Sequence, residues 1–428
     1  MPRFPIKGEF SRNALTLTIG TSIAQAFPIL FYPILGRIFT PAEFGLLATL
    51  TSITSILAVI ATGKYESSIL IAETKVEAAN IIGLVLSVSF LILSLSFFIL
   101  QESSKQFALW FNEPALEKWL FISPLSAFVI IIYSCYNEWC VRNKYFLALS
   151  SNKITNAAFT TLGKLFFGLV KVTGNGLVIG DLLGRATTAC FCIYRALKKD
   201  KIVFTGVHYK HFAHLGKKYI EFPKFTLPDQ LLMSVGVSVP VLIIGAYFNN
   251  IEVGYYAMTM NILSVPVSVV SVAVRDVFRQ RANEDFLKYG KCTALYMKLL
   301  VRLSIAGVLG SVGLYFILPH LFTLVLGEQW KVAGEYSQIL LPMVTLNFVS
   351  MSLSGVLIVA RKMKVSMYWQ IYFAGITIIS LFGGFFVFKT IEMTLVCFAA
   401  ARSSAYLFYI FLSYKHSKGS SRLKDSIN

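Results

Sequence analysis

The sequence predicts an all-α integral membrane fold of twelve transmembrane helices with both termini in the cytoplasm. Three observations predict it. The chain of 428 residues is 56% hydrophobic and only 14% charged, against about 45–50% and about 25% for soluble domains. Its mean hydropathy is +0.68 with no polar domain interposed. The cations, finally, fall between the apolar runs in an alternating pattern that reports topology.

A spanning helix needs roughly 20 mostly apolar residues. Such runs lie near 13–36, 44–63, 79–100, 119–139, 154–170, 176–195, 227–248, 254–274, 299–318, 336–360, 365–388 and 393–413. The first follows three cations in residues 1–12; it is too long for a signal-peptide core and has no small-residue cleavage site, so it is expected to stay. Thr40 and Pro41 give the second helix an N-cap and a proline in its first turn. Arg37 and Glu43 bracket that turn, and Lys64 and Glu66 close the far end of the hairpin. The fourth helix ends with Glu138 and Arg142, four residues apart as an ordinary surface pair would be. Helices five and six hold Lys164, Asp181 and Arg185, helix nine holds Arg302 near its cytoplasmic end, and helix twelve holds Arg402.

With the N-terminus inside, 29 of the 39 Lys and Arg residues fall on the cytoplasmic side, six fall outside and four fall within helices. Losing or adding one helix would transpose every later loop and destroy that asymmetry. The longest cytoplasmic loop, the basic linker 196–226, separates an N-terminal lobe (1–195) from a C-terminal lobe (227–414), which a cytoplasmic tail (415–428) follows. A duplication is visible as F-x-x-x-E-x-G at Phe39 to Gly45 and again at Phe248 to Gly254, an offset of 209 residues.

A charged group at the bilayer centre costs about 2.5–3.5 kcal/mol on insertion scales, so it faces a cavity or a partner. Lys164, Arg185 and Arg402 lie near mid-depth and ask for an anion. Asp181 stands at the right spacing to neutralise Arg185, and Arg302 is placed to snorkel to the headgroups. Asp276 stands beside Arg275 in the same way. Lys164 and Arg402 have no carboxylate near in sequence and are expected to line a cavity.

Prolines interrupt helices at Pro28, Pro33, Pro124, Pro240, Pro266 and Pro342, each freeing a carbonyl. Gly180 and Gly184, and Gly307, Gly310 and Gly313, follow a spacing that permits close helix approach. His208, His211 and His214 recur every third residue in a segment that reads as an amphipathic interfacial helix rather than a metal site. The net charge of +18 does not point to nucleic acid, because no arginine-rich arm or stacking platform appears. Six cysteines imply neither disulfides nor a metal centre. Gly174-Asn-Gly176 lacks the strand a nucleotide loop needs, and no Walker loop occurs. No catalytic constellation is present, so an enzyme is not expected, and neither is a cofactor.

The order of motifs resembles the bacterial lipid-linked oligosaccharide flippases that export O-antigen units, within the multidrug/oligosaccharidyl-lipid/polysaccharide exporter superfamily. The resemblance spans nearly the whole chain. It is carried by Gly20-Thr-Ser-Ile-Ala-Gln25, the Pro28 to Gly45 block, Gly63-Lys-Tyr-Glu66, Phe222-Pro-Lys-Phe-Thr-Leu-Pro228, Val253-Gly-Tyr-Tyr256, Val277-Phe-Arg-Gln280 and Ala333 to Pro342. It implies two six-helix lobes around a central cavity in the inner membrane. It also implies an undecaprenyl-pyrophosphate-linked repeat unit as substrate, turned from the cytoplasmic to the periplasmic leaflet among membrane lipids, with a polymerase and a chain-length regulator as candidate partners. Candidate contacts for the pyrophosphate are Arg37, Lys64, Lys164, Arg185, Arg402, Arg302 and Arg275. Asp181, Glu66 and Glu138 are candidates for charge balance or for coupling to a proton or sodium gradient. A drug or cation antiporter of the same superfamily would want cavity carboxylates, and a membrane scaffold for glycan enzymes would tolerate loss of the deep charges.

Overall fold

The computed structural model describes residues 9–170, 175–360 and 362–419. The cations Arg3, Lys7, Lys171, Arg361, Arg422 and Lys424, and Gly174 of the Gly174-Asn-Gly176 motif, lie outside the described residues. Among the described residues there are twelve long helices: α1 Glu9–Ile38, α2 Pro41–Thr62, α3 Lys75–Trp110, α4 Ile122–Arg142, α5 Phe146–Leu169, α6 Gly176–Phe204, α7 Leu227–Tyr247, α8 Asn250–Tyr289, α9 Thr293–Leu326, α10 Lys331–Ser352, α11 Met363–Phe388 and α12 Ile391–Ser417. Eleven are long and apolar enough to cross a membrane. The twelfth, α5, is diluted by Ser150, Ser151, Asn152, Lys153 and Lys164. Its 24 residues still span about 36 Å at 1.5 Å per residue, more than a hydrocarbon core of about 30 Å. The protein is a multi-pass membrane protein.

Local chemistry sets the helix ends. Thr40 and Glu43 form the reciprocal capping box that starts α2: the Thr40 N–H donates to Glu43 Oε2 at 2.8 Å and the Glu43 N–H to Thr40 Oγ1 at 3.4 Å. The same roles recur 209 residues later, where the Glu252 N–H donates to Asn249 Oδ1 at 2.9 Å. At that offset Ile38, the end of α1, maps onto Tyr247, the end of α7, and Pro41, the start of α2, onto Asn250, the start of α8. The duplication read from one short motif thus extends to the limits of four helices. At its inner end α2 stops at Gly63 and Lys64, both left-handed with φ of 54° and 60°.

The chain divides into two compact units after Gly254, within α8, whereas the sequence places the lobe boundary in the linker. The reason is local: α7 packs along α2, and the linker itself belongs with the first unit. Within that unit α5 lies between α1 and α6, and α4 touches α2, α3 and α6. Trp139, Ile81, Ile69 and Cys192 are fully enclosed in its core. The second unit packs α9 on α10, α11 on α12 and α10 on α12. Phe278, Tyr296, Leu353 and Val356 fill one core there.

The linker departs from expectation. α6 does not end at 195 but continues to Phe204, with one non-helical residue, Asp200 (φ −124°, ψ 25°). The enclosed Trp139 donates its indole N–H to the Asp200 carboxylate at 3.0 Å, and the Tyr145 hydroxyl reaches it at 3.4 Å. The segment predicted as an interfacial helix is a turn, Tyr209–His211, followed by the short helix Phe212–Lys218. It is fixed to protein. Tyr65 donates to the Gly216 carbonyl at 3.0 Å, Asn80 accepts from the His208 N–H at 2.9 Å, and Lys218 meets Glu73 and Glu77 at 2.7 Å each. Among the described residues no group of His, Cys, Asp and Glu could hold a metal ion, and all six cysteines are free.

Candidate functional site

Asp181 is the charged group that organises the first unit. It sits one turn and a half into α6 and is only 5% exposed. Glycines flank it at Gly180 and Gly184. A Cβ at Gly180 would collide with the Lys164 and Gly163 backbone, and one at Gly184 with the Thr160 backbone. The absence of those two side chains lets α5 lie directly on α6, so the small-residue spacing serves packing as expected. Close approach brings Lys164 across to Asp181, with Lys164 Nζ 2.8 Å from Oδ1. Arg185, one turn further along α6, places Nε 2.5 Å from Oδ2 and Nη2 3.5 Å from Oδ1.

The sequence paired Asp181 with Arg185 alone and left Lys164 without a carboxylate; the structure gives both cations the same one. The signal was present in the spacing. Lys164 lies as far before the end of α5 at Leu169 as Asp181 lies after the start of α6 at Gly176, so two antiparallel helices juxtapose them. The triad has two partly exposed cations and one buried anion, a formal charge of +1. Taking one partner out of such a pair typically costs about 3–5 kcal/mol, because the remaining charge is stranded.

Beside the triad is a small cavity of about 30 Å³ between α2, α4 and α6, lined by Thr51, Thr54, Ser55, Ser126, Asp181 and Arg185 together with apolar side chains. Thr51 and Ser55 turn their hydroxyls back to helix carbonyls, those of Ala48 and Thr51.

The other predicted groups lie elsewhere. Lys64 pairs with Glu66 at 3.0 Å at the inner end of α2, and Glu66 is buried with Oε2 lacking a partner among the described residues. Glu138 is half-buried within electrostatic reach of both. Arg142 does not take up Glu138 as expected; its Nη1 donates to the Ile69 and Leu70 carbonyls at 3.3 Å each. Arg37 ends α1 with its side chain exposed.

In the second unit, Arg402 is enclosed rather than lining an open space. Its guanidinium lies 4.7 Å from the ring centroids of both Phe373 and Phe398, with Nε 3.2 Å from the Thr377 hydroxyl. Arg302 is exposed on α9, as snorkelling requires, and Arg275 reaches Asp276 at 3.4 Å on the surface. Of the second glycine set, only Gly307 approaches a neighbour, at Thr345 and Phe348; Gly310 and Gly313 face open space. Packing therefore does not account for them.

The sequence profile of a family described as polysaccharide biosynthesis protein matches residues 34–335, about seven-tenths of the chain. The chain belongs to this family. None of the curated protein sequences matches it. Among solved structures, this polysaccharide biosynthesis family member is similar to an inward-facing multidrug resistance MATE family transporter of the MOP superfamily, with a TM-score of 0.73, 14% identity and coverage of 95% of this chain and 99% of that one. It is similar to the inward closed conformation of the lipid II flippase MurJ, with a TM-score of 0.70, 13% identity and coverage of 94% and 87%. A MOP superfamily transporter from Pyrococcus furiosus gives 0.61, 14%, 96% and 97%. The polysaccharide biosynthesis protein therefore has the MOP superfamily fold.

Proposed function

We propose that the chain is a flippase that moves undecaprenyl-pyrophosphate-linked O-antigen or related surface polysaccharide units from the cytoplasmic to the periplasmic leaflet of the bacterial inner membrane. The observation that carries this reading is the net cationic triad of Lys164 and Arg185, both partly exposed, around the buried Asp181, in a polysaccharide biosynthesis protein with the MOP superfamily fold. A diphosphate and its sugars must pass hydrocarbon while the lipid tail stays in the bilayer. Fixed cations in a hydrated pocket meet that need, because arginine and lysine bind phosphate oxygens through charge-assisted hydrogen bonds. Alternating access then requires only that the two states bind the head group differently.

A cation antiporter is the less favoured reading. It would need a carboxylate available to the substrate, and Asp181 is engaged by two cations. A gradient of protons or sodium, or consumption of the unit by a polymerase with its chain-length regulator, would supply the direction.

The test is leaflet-resolved labelling of the lipid-linked unit in cells depleted of the protein. The unit is expected to accumulate on the cytoplasmic side, and its absence there overturns the flippase reading. Lys164→Ala is expected to abolish surface polysaccharide while leaving the protein in the membrane. A scaffold would lose nothing in that variant.

A further inference from the structure

The seam between α1 and α5 holds a cation that the triad does not account for. The two helices run parallel. A Cβ at Gly20 would overlap the Ser150 side chain, and the Ser150 hydroxyl donates to the Thr16 carbonyl at 3.0 Å. One turn further along both helices, Lys153 Nζ donates to Thr21 Oγ1 at 2.9 Å. Lys153 is the eighth residue of α5, and Thr21 lies five residues beyond Thr16, where the apolar stretch of α1 begins. At 1.5 Å per residue the ammonium therefore stands about 7–8 Å inside the span. Snorkelling would carry it back toward the start of α5; instead it stays level with its own turn. No carboxylate is at hand, because α5 has none and α1 has none after Glu9. Among the described residues Lys153 forms no ion pair, and its one hydrogen bond is to a neutral hydroxyl. Lys164, Arg185 and Arg402 are each matched, by Asp181 or by two aromatic faces. A cation within a span faces a partner or a cavity, and an ammonium has three donors, of which Thr21 takes one. Lys153 is half-buried, so the other two can be reached.

We infer that Lys153 and Thr21 form an entry clasp for the phosphate of a lipid head group at the cytoplasmic side of the first unit, with Lys153 as the contact and Thr21 as the residue that positions it. The depth selects the ligand. A soluble anion would have to leave water to reach this place, whereas a lipid phosphate already lies in that leaflet and can enter sideways with its chain in the bilayer. An ammonium binds phosphate oxygens through charge-assisted hydrogen bonds. The arriving group has no anion to displace and need only share the ammonium with a hydroxyl. The clasp is separate from the triad: Lys164 lies eleven residues further along α5, about 16 Å at 1.5 Å per residue, beyond the reach of one phosphate group. The inference rests on the flippase reading only for which lipid is drawn in. It also gives the Gly20-Thr21 pair of the Gly20 to Gln25 motif a task, since Gly20 admits α5 and Thr21 meets its lysine.

The test uses the full-length protein in phosphatidylcholine nanodiscs doped with increasing undecaprenyl pyrophosphate or, separately, phosphatidylglycerol, and in undoped nanodiscs with inorganic pyrophosphate in solution. Bound probe is counted by native mass spectrometry. Lys153→Gln is expected to need tenfold or more of one of the two lipids for half occupancy, and the lipid that responds names the source of the phosphate. Lys153→Arg keeps the charge and is expected to stay within threefold of wild type. Thr21→Val keeps the lysine and nearly the same volume, so it decides the matter even if Lys153→Gln does not fold; it is expected to need several-fold more of the same lipid. Unchanged occupancy in Lys153→Gln or in Thr21→Val, an effect confined to soluble pyrophosphate, or equal loss in Lys153→Arg and Lys153→Gln overturns the clasp. So does a lower thermal midpoint in Lys153→Gln with lipid occupancy unmoved, which is the mark of a purely structural lysine. The two readings fail separately. If wild type transfers the lipid-linked unit but this ranking is absent, only the clasp falls. If the ranking holds and no transfer occurs, the flippase reading falls and the clasp for a lipid phosphate stands.

Discussion

The backbone of Gly45 lies directly against the carbonyl of Asn250, so that a Cβ at Gly45 would overlap its oxygen. The relationship is reciprocal. A Cβ at Gly254 would overlap the carbonyl oxygen of Pro41, and the offset of 209 residues turns each pair into the other. Asn250 also donates from its side chain to the Ala42 carbonyl at 2.9 Å. The first turn of α2 and the first turn of α8 therefore meet through their own duplicated sequence. Gly45→Ala and Gly254→Ala should each force these turns apart, at about 1–3 kcal/mol as for other overpacked sites. The expected result is a lower thermal midpoint for each purified variant, and an unchanged midpoint in both would show that the turns have room.

How much of this was legible follows from the range of each signal. Thr40, Pro41 and Glu43 act within one helical turn, so the start of α2 could be read directly, and the repeat carried the same reading to Asn249 and Asn250. The place of Lys164 could not be read from its neighbours, because its partner lies 17 positions on and depends on α5 crossing α6 at Gly180 and Gly184. The end of α6 lies beyond the predicted 195 for a similar reason. Lys198, Lys199 and Lys201 look like a loop, yet Asp200 is held by Trp139 and Tyr145 from α4 and the turn after it. Arg402 read as a cavity group because its aromatic partners, Phe373 and Phe398, look like ordinary membrane residues until α11 and α12 are set side by side.

The sandwich around Arg402 makes its own prediction. A desolvated cation over an aromatic face is worth about 2 kcal/mol or more, and only a flat guanidinium can stack on two rings while also donating to Thr377. Arg402→Lys keeps the charge and loses the stacking. It should lower the thermal midpoint while still inserting in the membrane, whereas an unchanged midpoint would mean that charge alone suffices.

Cys292, in the short turn between α8 and α9, is 2% exposed, and its N–H donates to the Ser417 carbonyl at 2.9 Å. Burial, with a smaller contribution from Asp285, pushes its thiol up to about 12. Only the thiolate reacts, so a variant with Cys292 as the sole cysteine should resist maleimide at neutral pH and react once denatured. The raised value also fixes the sign of a pH effect. The folded state favours the thiol and the unfolded state ionises from about pH 8.5, so this contribution is present below that pH and is lost as pH rises toward 12. Rapid labelling of the native protein would contradict the burial.

The linker gives the last prediction. Lys218 joins the short helix Phe212–Lys218 to both Glu73 and Glu77, and these hydrogen bonds raise its ammonium well above the usual lysine value. A raised lysine contributes below its unfolded value and is lost only as pH climbs through the folded one, so moderate alkalinity should leave the linker attached. Salt is different, since exposed ion pairs are screened within about 8–10 Å at physiological strength and within about 3 Å at 1 M. Limited proteolysis between 205 and 221 should therefore be slow from pH 7 to 9 at low salt and faster at 1 M salt. Lys218→Gln should be fast at low salt as well, and Tyr65→Phe, which removes the bond to Gly216, should add to it. Cleavage that is indifferent to both salt and Lys218→Gln would show that the buried Leu215 and the bonds between Asn80 and the 206–208 backbone hold the linker without help from charge.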